Sequence, residues 1–532
     1  MKLRQIPFLL VLAAATAHAA APNLIANPEL EANLLGWTGS GGVLSRVALD
    51  VFGRADSGSA QLAAALGTDV ILAQCVALPA NAHVDFGAWV EIPGFQEPVT
   101  GSAVVKLQWW SELGCGGTQL DVEAETATIS ATGRWSYAAL RNVAPPEGSK
   151  SAKLRAISQP NAEGFLVKFD SLFVAPAGEL FVPVVGEIVV ADGSQKIVKV
   201  EPETGAQRLI TSGVYLARPT GVAIDPSGLL WVVTPVGGSP LVSVDPATGL
   251  QEPLVTTGDT LDSPRDVDIA GDGSLWIAGD GLWEVTLPDG NVALRKSLGM
   301  TTAYGMSIDS DPETGAAWLV SLARGDAGLA DFDVGSGELT PVAGTPTAQG
   351  RYDYAVWMPA HGTSTRVFTE VEPIAPSACN AAASGVLAID GEPPILGGRF
   401  RCPRGLGVGG PDDPGYVSDG SAFTGSQEGQ LIAIDRAGTQ TLVTRSGFLV
   451  DPWDVEVVPE PTGDAAMLAA AGALAALVSR AKSWRRRVPT ESRGGRGRVR
   501  ERRVQPRAAT LLPTRSITAR QSPSARSPSL RV

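Results

Sequence analysis

The chain has 532 residues, a formal net charge of −13, 61 glycines and 39 prolines. So many turn formers, with no long 3.6-residue apolar periodicity away from the termini, exclude a helical bundle or coiled coil and indicate an all-β protein. Residues 480–532 carry 16 basic and two acidic side chains; setting aside that +14 and the +2 of the first 19 residues takes −13 to about −29 for the remaining body, which excludes nucleic-acid binding through a basic face.

Residues 1–19 read as a secretory signal peptide. Lys2 and Arg4 precede the apolar stretch Ile6–Ala15, and Ala17-His18-Ala19 is a small-x-small cleavage site for signal peptidase. From about 22 to 178, short alternating runs such as Val84–Val90, Ala103–Trp110 and Trp135–Leu140 are separated by Gly, Pro and Asn clusters. This segment opens on Asn23-Leu24-Ile25-Ala26-Asn27-Pro28-Glu29-Leu30-Glu31 and Gly36-Trp37, and closes on Phe169-Asp170 and Phe173-Val174.

Those phrases resemble the galactose-binding-like jelly rolls of carbohydrate-binding modules. The resemblance implies a β-sandwich in which a structural Ca2+ links an acid of the first strand to an aspartate of the last. The matching positions are Glu31 and Asp170; a hard cation needs such oxygen ligands, and otherwise the two are solvated strand-end acids. Sugar binding needs an exposed aromatic face, and the segment holds Trp37, Trp89, Trp109, Trp110 and Trp135. On a strand, Trp109 and Trp110 point to opposite faces, so one can be core and the other a sugar-stacking platform, unless all five are core.

Residues 184–458 carry a repeat. Its first strand recurs with leading positions Gly221, Asp266, Gly305, Asp353, Gly405 and Asp454, 39 to 52 residues apart. A Leu-Trp strand follows at Leu230-Trp231 and Leu275-Trp276, and corners recur as Glu201-Pro-Glu-Thr-Gly205, Asp245-Pro-Ala-Thr-Gly249 and Asp311-Pro-Glu-Thr-Gly315. Four strands per unit at this period predict a six-bladed β-propeller. The final copy, Asp454–Val457, is expected to pair with the strand at Glu187–Ala191 and close the ring.

The repeats resemble NHL propellers and their gluconolactonase and virginiamycin B lyase relatives. The lactonase relatives bind a divalent metal through a Glu, an Asn and an Asp at the channel mouth, a set not found here in its usual contexts. The lyases use a histidine base, but the single propeller histidine, His361, lies in a turn-like stretch. No Ser/His/Asp or Cys/His set and no phosphate-binding glycine loop accompanies it. One constellation does stand out: Asp266, Asp353 and Asp454 lead alternate inner strands and are candidates for a metal site at one rim. The competing readings are neutralisation by Arg265 and Arg404, or hydrogen bonds to the loops between blades.

Two cysteines fall in each half. Of the three possible pairings, Cys75–Cys115 and Cys379–Cys402 are the economical choice in an exported chain. Near the C-terminus, Pro459-Glu460-Pro461 is followed by the apolar run Ala465–Val478, then Arg480, Lys482 and Arg485-Arg486-Arg487. This order resembles the PEP-CTERM sorting signal (459–487), which implies a short transmembrane helix, cleavage by an exosortase and release from the inner membrane to the cell surface or medium. The Arg-rich tail 488–532 departs from that pattern and reads either as a disordered arm or as translation beyond the natural stop.

Together these readings predict an exported binding or matrix protein associated with exopolysaccharide. The alternative is a metal-dependent lactonase or lyase acting on sugar lactones or polysaccharide in the propeller channel. With no complete catalytic set in the sequence, the non-enzymatic reading leads.

Overall fold

The computed structural model describes residues 23–458 apart from short internal segments, and the side chains of most residues between 308 and 397 are outside the description. The all-β expectation holds: the described residues form strands with two short 3-10 turns. Among them, no helix is long and apolar enough to cross a membrane. The expected signal peptide at 1–19, Pro459–Pro461, Ala465–Val478, Arg485–Arg487 and the tail lie outside the described residues.

Residues 38–176 form two five-stranded sheets. One runs in the order Thr38–Ser40, Val70–Ala77, Ser151–Pro160, Gly101–Trp110, Gln119–Glu125; the other in the order Gly42–Val47, Ser59–Ala64, Leu166–Pro176, Val84–Glu91, Trp135–Val143. The two-residue period of a strand decides what each side chain meets. Along Gly101–Trp110, Ala103, Val105, Leu107 and Trp109 enter the core with Leu72, Phe86, Leu154 and Phe169. Lys106, Gln108 and Trp110 alternate with them on the opposite face. Burying each large apolar side chain contributes about 1.5–3 kcal/mol.

Residues 188–457 form six larger sheets in succession. In the first, Ile188–Asp192 lies between Lys196–Val200 and the last strand of the chain, Pro452–Val457, with Ile188 opposite Val457 and Ala191 opposite Asp454. The expected pairing of the two ends is therefore present. The leading strands pack in sequence: Pro452–Val457 on Gly221–Ile224, then Asp266–Ile269, Thr302–Ser307, Arg351–Ala360 and Pro403–Val408, which returns to Pro452–Val457. Each leading strand is the edge strand of its own sheet, and it packs against the leading strands on either side of it in this circle.

The recurring corners close as their sequence requires. In Asp245–Gly249 the Gly249 amide donates to the Asp245 carbonyl at 2.7 Å, and Thr248 Oγ1 donates to the Asp245 carboxylate at 2.7 Å. Gly249 has φ +72, the left-handed region glycine enters without strain. Glu201–Gly205 repeats the arrangement, with the Thr204 hydroxyl on Glu201 at 3.0 Å and Gly205 at φ +67. Asp311–Gly315 lies outside the described residues.

The sandwich and the first sheet share one core. Val51, Phe52 and Trp89 pack with Ile188, Val198, Phe448 and Val455. Trp89 and Phe448 have ring centroids 4.3 Å apart, and Tyr137 meets Phe448 edge-on at 5.0 Å. Arg141 of the sandwich donates to the carbonyls of Ile210 and Ala247 at 3.1 and 3.0 Å. Aromatic packing and carbonyl capture of this kind hold the two parts in one orientation.

Candidate functional site

The sandwich sheet facing away from this shared core carries a groove of 360 Å³, lined among others by Thr38, Gln108, Trp110, Gln119, Lys153 and Arg155. Strand alternation builds it. Gln108 and Trp110 lie on one strand, and Lys153 and Arg155 on its neighbour, with Gln108 opposite Lys153 and Trp110 opposite Ser151. Of the two adjacent tryptophans, Trp109 is buried in the core at 1% exposure, while Trp110 is half-buried on the groove face. The opposite-face expectation therefore holds. Trp37 and Trp89 are core residues, and Trp135 packs partly buried against the shared core.

One end of the groove is fixed covalently. Cys75 and Cys115 form the expected disulfide, tying the loop after Trp110 to the strand Val70–Ala77. Ser151 Oγ donates to the Glu112 carbonyl at 2.5 Å and accepts the Cys115 amide at 3.0 Å, anchoring the same loop. Cys402 is also disulfide-bonded; its expected partner, Cys379, is among the residues whose side chains lie outside the description. Glu123 organises the groove's polar wall. It accepts hydrogen bonds from Gln108 and from Gln119, the latter at 3.3 Å, and lies 3.7 Å from Arg155.

The two acids of the expected calcium pair lie in different surroundings. Asp170 is fully buried, and its oxygens accept the amides of Val51 at 2.9 Å and Ser171 at 2.7 Å. The acids that press on it are Glu29 and Asp50, whereas Glu31 is exposed. Arg46 instead donates to the carbonyls of Leu30, Glu31 and Ser57, placing a guanidinium where that stretch turns its backbone oxygens. Among the described residues, no group of three or more His, Cys, Asp or Glu side chains is arranged to hold a metal ion.

Glu29 serves the junction instead. Ser171 Oγ donates to its Oε1 at 3.1 Å, and buried Arg208, from the first of the six sheets, approaches at 3.4 Å. Burial pushes Glu29 up to about 7 against the pull of Arg208, and burial plus Glu29 and Asp50 push Asp170 well above the usual carboxylate range.

At the circle of leading strands, Asp454 accepts the Val222 amide at 2.8 Å and the Val455 amide at 2.7 Å. Asp266 does the same with Met306 at 2.7 Å and Val267 at 2.9 Å. Each carboxylate thus reaches from its own strand to the amide just after the glycine that leads the next one. A Cβ on Gly221 would sit 2.7 Å from the Asp266 Cα, and one on Gly405 would sit 2.5 Å from the Asp454 Cα. Glycine leads alternate strands because the neighbouring backbone leaves no room for more. The Asp353 side chain, third of the set, lies outside the described residues, as does His361. Burial pushes Asp454 up to about 7, and burial together with Asp454 pushes Asp266 well above its ordinary value. Arg404 pairs with Asp451 at 2.9 Å.

The groove residues Gln108, Gln119, Lys153 and Arg155 were not identified from sequence. Their signal was the polar half of the alternation whose apolar half marked the core, at Lys106-x-Gln108-x-Trp110 and Lys153-x-Arg155.

No family model matches the sequence, and no curated protein matches it. Among solved structures, a carbohydrate-binding module in complex with β-1,4-galactotriose is similar over 29% of this chain and 99% of its own, at 16% identity and TM-score 0.22. The periplasmic gluconolactonase of Pseudomonas aeruginosa is similar over 51% of this chain and 98% of its own, at 13% identity and TM-score 0.35. The enzymatically active domain of a tailspike protein of bacteriophage CBA120 is similar over 29% of this chain, at 14% identity and TM-score 0.24, and the chain spans only 21% of that domain's length.

Proposed function

We propose that this is an exported, polysaccharide-binding protein of the cell surface or medium, whose sugar site is the Trp110 groove. In this reading the six sheets are the blades of a six-bladed propeller that presents the sandwich rigidly. The terminal segments are addresses: signal peptidase removes 1–19, and an exosortase cuts near Pro459–Pro461 after transient anchoring in the inner membrane.

The observation that carries the reading is the half-buried Trp110 ring flanked by Gln108, Gln119, Lys153 and Arg155 on an open sheet face. An aromatic face stacks on the C–H surface of a sugar ring, and amide and cationic side chains beside it orient the hydroxyls. The disulfide and Ser151 hold the adjoining loop before ligand arrives, which lowers the ordering cost of binding. The alternative, a metal-dependent lactonase or lyase in the channel, has less support, since Asp266 and Asp454 are both engaged by backbone amides.

Glycan-array binding of the exported protein, beside the Trp110→Ala variant, tests the reading. Binding that weakens at least about tenfold in the variant supports it, in line with the worth of one aromatic contact. Undiminished binding moves the site elsewhere.

A further inference from the structure

We infer that the groove takes an acidic polysaccharide, one whose sugars carry carboxylate groups; this rests on the Trp110 groove being the sugar site. The residues lining the groove include Lys153 and Arg155 and no Asp or Glu. Glu123, the carboxylate bonded to these lining residues, is already held by Gln108, Gln119 and Arg155. Lys153 is half-buried on the middle strand of the sheet, between Cys75 on one neighbour and Gln108 on the other. No carboxylate among the described residues forms an ion pair with it; its neighbour on the same face, Arg155, takes Glu123, and Lys106 takes Glu125 at 2.6 Å.

A half-buried ammonium loses part of its hydration without a counter-charge to replace it, so a ligand carboxylate gains more there than at a free surface lysine. Position agrees with charge. Lys153 stands two residues along its strand from Ser151, the partner of Trp110, on the same face of the sheet. That step is about 7 Å, which lets a sugar ring stacked on Trp110 extend a ring carboxylate toward Lys153. The wider protein is acidic, at −13 overall. A net-acidic protein repels a polyanion, and the Lys153 and Arg155 side chains of the groove offset that repulsion locally, which makes charge a device for selecting where it binds.

The test is calorimetric titration of the exported protein with an oligogalacturonate and with a neutral galactan oligosaccharide of equal length, at low and high salt. The acidic ligand should bind about tenfold or more tightly at low salt, and the preference should shrink at high salt because exposed charge pairs are screened. In Lys153→Gln the ratio between the two ligands should fall toward one, and Lys153→Glu should reverse it, with thermal unfolding used to verify that both variants fold. Equal binding of the two ligands, or a preference that survives Lys153→Gln, overturns the inference and leaves the sugar site standing. Binding of neither ligand, with an empty glycan array, overturns both.

Discussion

The Asp454 carboxylate accepts the amide hydrogen of Val222 at 2.8 Å, joining two residues 232 apart in sequence. Asp454 also belongs to the strand that completes the sheet begun by Ile188–Asp192. One side chain thus ties together the last strand, the first sheet and the second.

Truncation after Leu449 should therefore destabilise the whole six-sheet unit, whereas truncation after Pro461 should be neutral. The shorter chain leaves the Ile188–Asp192 edge and the Val222 amide without partners, at about 1–3 kcal/mol for each buried group. A fall in unfolding midpoint of roughly 10 °C or more is expected. Equal midpoints in thermal unfolding of the two chains would falsify closure through this strand.

Stability should fall as pH rises from about 5 to 8. Glu29 and Asp454 are each pushed up to about 7 in the folded protein, mainly by burial. A raised carboxylate favours folding fully below its unfolded value near 4, and that contribution is lost as pH climbs through about 7. The two groups act in the same direction, each tenfold change in proton affinity being worth about 1.4 kcal/mol. Melting curves across this range check the sign, and Asp454→Asn should flatten them; a midpoint that rises with pH contradicts the assignment.

Phe448→Ala should uncouple the sandwich from the sheets. Its ring meets both Trp89 and Tyr137, so removal opens a cavity in the shared core and costs about 3–5 kcal/mol. Scanning calorimetry should then resolve two transitions where the parent gives one. A single unshifted transition would show that the polar contacts of Arg141 and Arg208 suffice.

Reducing Cys75–Cys115 should lower stability by about 2–4 kcal/mol, because the bridge closes a loop spanning a sequence separation of 40. Sugar binding should weaken alongside, since the bridged loop borders Trp110. Non-reducing peptide maps establish the pairing. A reduced protein that binds as tightly as before would show that the loop is held by Ser151 alone.

The sorting proposal predicts a secreted form that lacks residues 1–19 and ends near Pro459–Thr462. Intact mass of the released protein measures both events. A product that keeps Arg485–Val532 refutes sorting by exosortase.

Much of the fold was legible because strands advertise themselves through a two-residue period and turns through glycine and proline. The alternation in Ala103–Trp110 separated Trp109 from Trp110, and the Asp-Pro-x-Thr-Gly phrases marked corners that close as their residues dictate. The period of Gly221, Asp266 and Asp454 also located the leading strands. Those are local properties, carried by residues close in sequence.

What only the tertiary structure decided involves partners distant in sequence. Alternation places Trp89 on one face of its strand but cannot reveal that Phe448 covers that face, leaving the opposite sheet as the open one. Asp170 matched a calcium position through the jelly-roll resemblance; the fold buries it beside Glu29 and Asp50 and aims the amides of Val51 and Ser171 at it. Asp266 and Asp454 suggested a metal ring as single letters; the close approach of Gly221 and Gly405 made them struts between strands. The sequence by itself determined strands, corners and the order of repeats, because each depends on neighbouring residues. Which faces stay open, and which charges stay unpaired, depended on how those strands pack.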